Sequence, residues 1–193
     1  MIQENIKNLK NILELIEHDK ELQLTIEGIT KTIINCYKSG GKVVFCGNGG
    51  SAAEAQHLAA ELSGRFYFDR PPIPAEACHV NSSFMTAVSN DYDFTKTYSR
   101  YIESVGNKGD ILIGLSTSGN SQNIIHAFQT AQKKEMHTIA LTGKNGGELK
   151  KHSDHLIAIP SDDVPRVQEI HLFVGHYLCE IIEKELFSEK YKK

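Results

Sequence analysis

Two strand-to-helix turns hold the residues best suited to chemistry. The first, Cys46-Gly47-Asn48-Gly49-Gly50-Ser51, follows the apolar run Lys42-Val43-Val44-Phe45 and opens a helical pattern from Ala52 to about Leu62. The second, Ser116-Thr117-Ser118-Gly119-Asn120-Ser121, follows Asp110-Ile111-Leu112-Ile113-Gly114-Leu115 and opens another helix at about Gln122. Glycines let the backbone turn tightly against a ligand, while the free amides and positive end of a helix N-terminus favour phosphate. Hydroxyls at Ser116, Ser118 and Ser121 would complete such a cradle. Neither loop contains Lys or Arg, which suits a phosphomonoester on a small sugar better than a triphosphate.

His57 and Glu61 form the next constellation. Spaced i and i+4, they share one face of the helix that the first turn opens, so both can point toward a ligand crevice. The plainer alternative is a surface pair worth a few tenths of a kcal/mol. A second polar set, Arg166-Val167-Gln168-Glu169-Ile170-His171 with His176, interrupts an otherwise apolar helix, where polar side chains need a partner or a ligand. Glu169 and His176 align best at i and i+7, while Gln168 and His171 share another face. Spacing alone leaves the identity of the working pair open.

These residues need an alternating scaffold to position them. Ile6, Leu9, Leu13 and Ile16 recur at helical spacing, and a second helix runs from about Glu21 to Tyr37 before Ser39-Gly40-Gly41 stops it. Strands are expected at 42–47, 76–80, 111–115, 137–142 and 155–159. Helices are expected at 51–64, 82–88, 94–105, 122–134, 146–151 and, as the last element, about 165–187. Such alternation predicts an α/β fold, a doubly wound parallel sheet of about five strands flanked by helices, preceded by N-terminal helices over 1–40. Ligands of such sheets usually sit at the strand C-termini, where both turns fall. Neither repeat nor linker divides the chain, so 1–193 is expected to be a single domain.

Composition narrows the function classes. At 193 residues and 40% hydrophobic content, the chain can bury one good core. A formal net charge of -3 leaves no basic stripe for a nucleic-acid backbone. Cys36, Cys46, Cys78 and Cys179 are widely separated with no C-x-x-C pair, and no charged-then-apolar leader precedes the first helix, so a reduced, cytoplasmic protein is expected. No apolar run approaches the ~18 residues of a membrane span. Gly47-Asn48-Gly49-Gly50-Ser51-Ala52 also satisfies the G-x-G-x-x-[GA] pattern of dinucleotide-binding proteins. That pattern requires a second strand ending in an acid about 20 residues on. The corresponding Phe66-Tyr67-Phe68-Asp69-Arg70 does not read as that strand, and no nucleotide cofactor is expected.

Taken together, Cys46-Gly-Asn-Gly-Gly-Ser51, His57-x-x-x-Glu61-Leu-Ser-Gly-Arg65, Asn90-Asp91, Leu115-Ser-Thr-Ser-Gly-Asn-Ser121, Leu141-Thr-Gly and Arg166-Val-Gln-Glu-Ile-His171 resemble the phosphoheptose isomerases of the sugar isomerase (SIS) domain group. The likeness runs in order along nearly the whole chain. It implies a cytoplasmic homotetramer with active sites between subunits. The implied reaction converts D-sedoheptulose 7-phosphate to D-glycero-D-manno-heptose 7-phosphate, first in the making of nucleotide-activated heptose for lipopolysaccharide or capsule.

By the same resemblance, Ser116, Thr117, Ser118 and Ser121 would hold the phosphate, and Asn48, Gly49, Gly50, Ser51, Asn90 and Asp91 would line the sugar. Glu61 and His176 match the family's acid-base pair. His57, Glu61, Gln168 and His176 match positions that bind one zinc ion per subunit, with Glu61 and Gln168 also meeting substrate. One departure is Pro165, where the family often carries Asp or Ala; Pro is tolerated in the first turn of a helix.

Two other readings stay open beside the isomerase. One is a non-catalytic SIS protein that binds a replication-initiator partner, which should lack the full acid-base set. The other is an SIS isomerase for another sugar phosphate.

Overall fold

The computed structural model describes residues 1–191, with side chains through Phe187. Among the described residues, seven α-helices surround a five-stranded parallel sheet. The chain begins with α1 (Ile2–His18) and α2 (Lys20–Lys38), joined at Asp19, whose Oδ1 accepts a hydrogen bond from the Leu22 amide at 2.9 Å. A carboxylate there satisfies an otherwise orphaned N-terminal amide, so one residue ends α1 and starts α2.

Next come β1 (Val43–Gly47), α3 (Gly50–Ser63), β2 (Ala75–Ala77), α4 (Ser82–Asp91) and α5 (Thr97–Val105). β3 (Ile111–Ser116), α6 (Gln122–Lys133), β4 (His137–Thr142), β5 (His155–Ala158) and α7 (Val164–Tyr191) complete the described chain. The strands lie in the order β2-β1-β3-β4-β5, all parallel. The chain reverses direction across the sheet between β1 and β3, and ligands of such sheets bind at that switch point. The glycine turn follows β1 and the serine turn follows β3, so the two lie side by side, with Gly47 in register with Leu115.

The strands are apolar on both faces because both faces are covered. Val43, Phe45, Ile111, Ile113, Leu115, Ile139 and Leu141 pack toward α1, α2, α3 and α7. Val44, Cys46, Leu112 and Ala140 point the other way, toward α5 and α6. All four cysteines are free and buried, consistent with small apolar packing residues.

Several sequence expectations change in extent: the helix expected at 94–105 opens as a 3-10 turn, Phe94–Lys96, before α5, and the helix expected at 82–88 continues to Asp91. The helix expected at 146–151 is a short 3-10 segment, Glu148–His152, because Gly146 and Gly147 both take positive φ (70° and 55°) and delay its start. The strand expected at 76–80 pairs only over Ala75–Ala77.

Candidate active site

His57, Glu61 and His176 are brought together by the packing of α3 against α7. His57 Nε2 lies 2.8 Å from His176 Nε2 and 3.3 Å from Glu61 Oε1. One ligand-capable atom from each of the three lies within 4.8 Å of the others. The imidazole rings meet edge to face, 5.1 Å between centroids, and Phe66 covers the other side of His176 at 5.7 Å. Helical spacing explains why His57 and Glu61 share a face; spacing left their partner open, and the packing of α7 brings His176, the residue the resemblance implied, to them. Glu169, which aligned with His176 at i and i+7, instead pairs with Arg166 at 2.7 Å with its side chain 44% exposed.

Two nitrogens and a carboxylate oxygen make the donor set of an open zinc site, in which three protein ligands leave a position free. With both Nε2 atoms facing one another, only one can carry a proton. The other presents a lone pair, as a cation site requires. The chain's own residues therefore fit a divalent metal.

Gln168 lies two turns before His176 on α7 and reaches the glycine turn. Its Nε2 is 3.4 Å from Ser51 Oγ, and a Cβ on Gly50 would sit 2.6 Å from that same Nε2. Gly50 is thus the residue that lets the carboxamide close on the loop. Gly49, at φ +55°, takes a conformation that L side chains rarely adopt and sits at the N-cap of α3 without a side-chain cap. Asn48 is fixed by a reciprocal amide pair with Asn123 of α6: each Nδ2 donates to the other's Oδ1 at 2.9 Å. The Tyr98 hydroxyl donates to the Gly47 carbonyl at 2.5 Å from beneath.

In the serine turn, Ser116 Oγ and Ser121 Oγ are 3.2 Å apart, and Ser118 Oγ accepts from the Asn120 amide at 3.2 Å. Ser121 occupies the N-cap of α6 without a side-chain cap hydrogen bond, so its hydroxyl faces the turn. The Thr117 carbonyl accepts from the Gly143 amide at 2.9 Å, which ties the turn to the end of β4 and the Leu141-Thr-Gly segment. Gly119 stacks backbone to backbone on Gly146 and Gly147; a Cβ there would meet the Gly146 carbonyl oxygen at 2.2 Å.

Asn90 and Asp91 end α4. Both are exposed, and Asn90 Nδ2 donates to Asp91 Oδ1 at 3.0 Å. Their recorded side-chain contact is with each other rather than with the two turns. His171 is fully buried; its ring Nε2 is 3.1 Å from the Thr142 carbonyl, and Nδ1 is buried without a partner. Burial holds its pKa down at about 4, so the ring is neutral and its Nε2–H donates to that carbonyl.

Asn123, Tyr98 and Phe66 escaped sequence reasoning as site residues. Asn123, a polar residue inside the apolar face of a helix directly after the serine turn, was the readable signal. The strand that follows α3 is β2, and its carboxylate, Glu76, accepts from Tyr101 Oη at 2.6 Å. The stretch 66–70 is a loop.

Comparison with known proteins places this geometry. Residues 6–143 match the family model described as SIS domain. The phosphoheptose isomerase of Sulfurimonas denitrificans is 48% identical over 188 residues, 97% of this chain and 96% of that one. That of Clostridium acetobutylicum is 47% identical, covering 98% and 96%. Among solved structures, a phosphoheptose isomerase from Francisella tularensis superposes with a TM-score of 0.89 at 36% identity, covering 95% of this chain and 96% of that one. The enzyme from Neisseria gonorrhoeae gives 0.82 at 35%, covering 95% and 100%. The family-model match, the identity over nearly the whole chain and the structural superposition show that the chain belongs to the phosphoheptose isomerases of the SIS domain family.

Proposed function

We propose that this chain interconverts D-sedoheptulose 7-phosphate and D-glycero-D-manno-heptose 7-phosphate through an enediol. The observation that carries this reading is the convergence of Glu61 and His176, 115 positions apart in sequence, beside a loop suited to a polyol. Ser116, Thr117, Ser118 and Ser121 would bind the phosphate through hydroxyls and the α6 N-terminus. Asn48, Gly49, Gly50, Ser51 and Gln168 would line the sugar, joined by Asn90 and Asp91.

Moving the carbonyl from C2 to C1 requires loss of a C1 proton and return of one at C2, with hydroxyl protons exchanged between O1 and O2. Glu61 would take the carbon proton, and His176 would shuttle the oxygen protons. Phe66 packs its ring against His176, 5.7 Å between centroids. No electron is gained or lost overall, so the isomerisation itself requires no nucleotide cofactor.

His57, Glu61 and His176 would hold one zinc ion per subunit. Gln168 would add Oε1, its Nε2 being directed at Ser51. When bound, such an ion supplies Lewis-acid polarisation of the substrate carbonyl. A Glu61 held firmly by the ion would be a poorer base, so either the metal would be exchangeable or another group would take the proton.

Exposed apolar side chains on the outer helices, among them Leu24 of α2 and Phe173 and Tyr177 of α7, support assembly into a homotetramer with the sites between subunits. No described helix is long and apolar enough to cross a membrane. A cytoplasmic site of action and a single domain over 1–193 belong to the same proposal. Turnover assays of purified protein with sedoheptulose 7-phosphate, beside hexulose and pentulose phosphates, test the substrate. Preference for the heptulose phosphate supports the reading, and turnover of a shorter sugar alone overturns it.

A further inference from the structure

A buried ion pair behind the cluster reaches both members of the proposed catalytic pair. Arg70 Nε donates to Glu183 Oε1 at 3.0 Å, with the two side chains 0% and 1% exposed. The guanidinium then takes the carbonyls at the end of α3. Nη2 donates to Glu61 at 2.9 Å, and Nη1 donates to Leu62 at 2.7 Å and Gly64 at 3.1 Å. A third bond from Nη1 reaches the Pro71 carbonyl at 3.1 Å. The last carbonyls of a helix lack intrahelical partners, and a cation there satisfies them. Arg70 therefore fixes the turn on which Glu61 stands.

The carboxylate works in the other direction. Glu183 Oε1 accepts from the Phe66 amide at 3.1 Å and Oε2 from the Tyr67 amide at 2.6 Å. Phe66 so held lays its ring against His176, 5.7 Å between centroids at an interplanar angle of 31°. Glu183 itself follows His176 by two turns of α7, on the same helix face. A single ion pair thus holds the backbone of Glu61 on α3 and the ring that packs His176 on α7.

Stability alone is a poor explanation for such a pair. Desolvating two ions consumes most of what their attraction returns, and apolar residues of equal volume commonly serve as well. What a saturated guanidinium adds is direction, since its planar fork fixes several acceptors at once. Supports of this kind behind ligands and acid-base groups decide whether a site holds its geometry.

We infer that Arg70 and Glu183 are positioning residues that set Glu61 and His176 relative to one another, an inference that rests on the isomerase reading above. Neither side chain is required to touch substrate.

The test uses the full chain with Glu183→Gln, Arg70→Lys and Phe66→Leu. The last leaves the ion pair and the Glu61 carbonyl bond in place and removes the ring that packs against His176, Tyr67 and the core beneath. For each variant, kcat and KM for sedoheptulose 7-phosphate are measured below the thermal midpoint. Affinity for Co²⁺ and its visible absorption are measured alongside in the absence of sugar.

The expected result for Glu183→Gln and Arg70→Lys is a kcat lower by about 10–100-fold, KM within about threefold, and Co²⁺ binding weakened by at least about tenfold with an altered spectrum. Phe66→Leu is expected to lower kcat by about three- to tenfold with little change in midpoint. Variants that lose thermal midpoint but keep kcat, KM and Co²⁺ affinity within twofold would show a purely structural pair and overturn the inference. If the ion-pair variants do not fold, unchanged kcat and Co²⁺ affinity in Phe66→Leu overturn it instead. An inactive wild type would sink the isomerase reading, and the Co²⁺ arm would then decide the geometric inference separately.

Discussion

His57 Nε2 and His176 Nε2 face each other at 2.8 Å across the α3–α7 interface, from positions 119 residues apart. Glu61 Oε1 lies 3.3 Å from His57 Nε2, so three ligand-capable atoms meet at one spot. A divalent cation satisfies all three groups together. Chelation is expected to lower turnover by at least about tenfold, with zinc restoring it. His57→Ala is expected to weaken Zn²⁺ or Co²⁺ binding by about 100-fold or more. Competition titration against a chromogenic chelator measures both.

Glu61→Gln keeps the shape of the side chain and removes its basicity. Removal of a positioned acid-base group costs typically about 10²–10⁴ in rate. The expected outcome is a kcat reduced into that range with a thermal midpoint within a few degrees of wild type, because the Glu61 side chain is not the group that Arg70 holds. Steady-state kinetics and a melting curve on one preparation check it.

Gly47 and Gly50 are expected to differ sharply when replaced by alanine. A Cβ at Gly47 meets the Ser51 carbonyl oxygen at 2.3 Å, which is backbone and cannot step aside. A Cβ at Gly50 meets only the end of the Gln168 side chain, which can swing away. Gly47→Ala should therefore lose stability, by about 1–3 kcal/mol or more. Gly50→Ala should fold normally and show raised KM as Gln168 leaves Ser51. Urea unfolding and steady-state kinetics on the two variants separate these effects.

A buried group and a half-buried one give opposite pH dependences of stability. His171 is held near pKa 4 in the fold against 6.5 in a free chain, because burial disfavours the imidazolium. Its contribution is complete above pH 6.5 and is lost as pH falls toward 4, with about 1–2 kcal/mol gone at pH 5. Glu54, with a buried and unpartnered Oε2, has its carboxyl pushed up from 4.5 to about 7 by desolvation. Its contribution is present below pH 4.5 and is lost as pH rises through about 7. Urea midpoints from pH 5 to 8 should show His171→Gln flattening the acid side and Glu54→Gln flattening the neutral side.

Local features of the fold were readable because they are written in local pattern. The strand from His137 to Thr142 and the turns after β1 and β3 appear where apolar runs meet glycine and serine clusters. The His57–Glu61 pair was legible from helical spacing. His176 is harder to read from spacing, since Glu169 and His176 align with each other and Gln168 and His171 share another face; the resemblance pointed to it, and the packing of α7 against α3 brings it to His57 and Glu61. The Asn48–Asn123 amide pair and the Arg70–Glu183 ion pair join residues 75 and 113 positions apart, and no periodicity announces such contacts. The 3-10 segment at Glu148–His152 was read as an α-helix because its polar face carries no mark of how two positive-φ glycines shorten it.

The central claim is proton transfer through an enediol with Glu61 as the carbon base. The measurement that meets it most directly is conversion of sedoheptulose 7-phosphate in deuterated water, followed by NMR, with wild type and Glu61→Gln side by side. The account predicts aldoheptose phosphate carrying solvent deuterium at C2, formed by Glu61→Gln at no more than about one-hundredth of the wild-type rate. Product whose C2 hydrogen comes wholly from C1 of the substrate, with no solvent deuterium in product or recovered substrate over repeated turnovers, or a Glu61→Gln enzyme as fast as wild type, would contradict it.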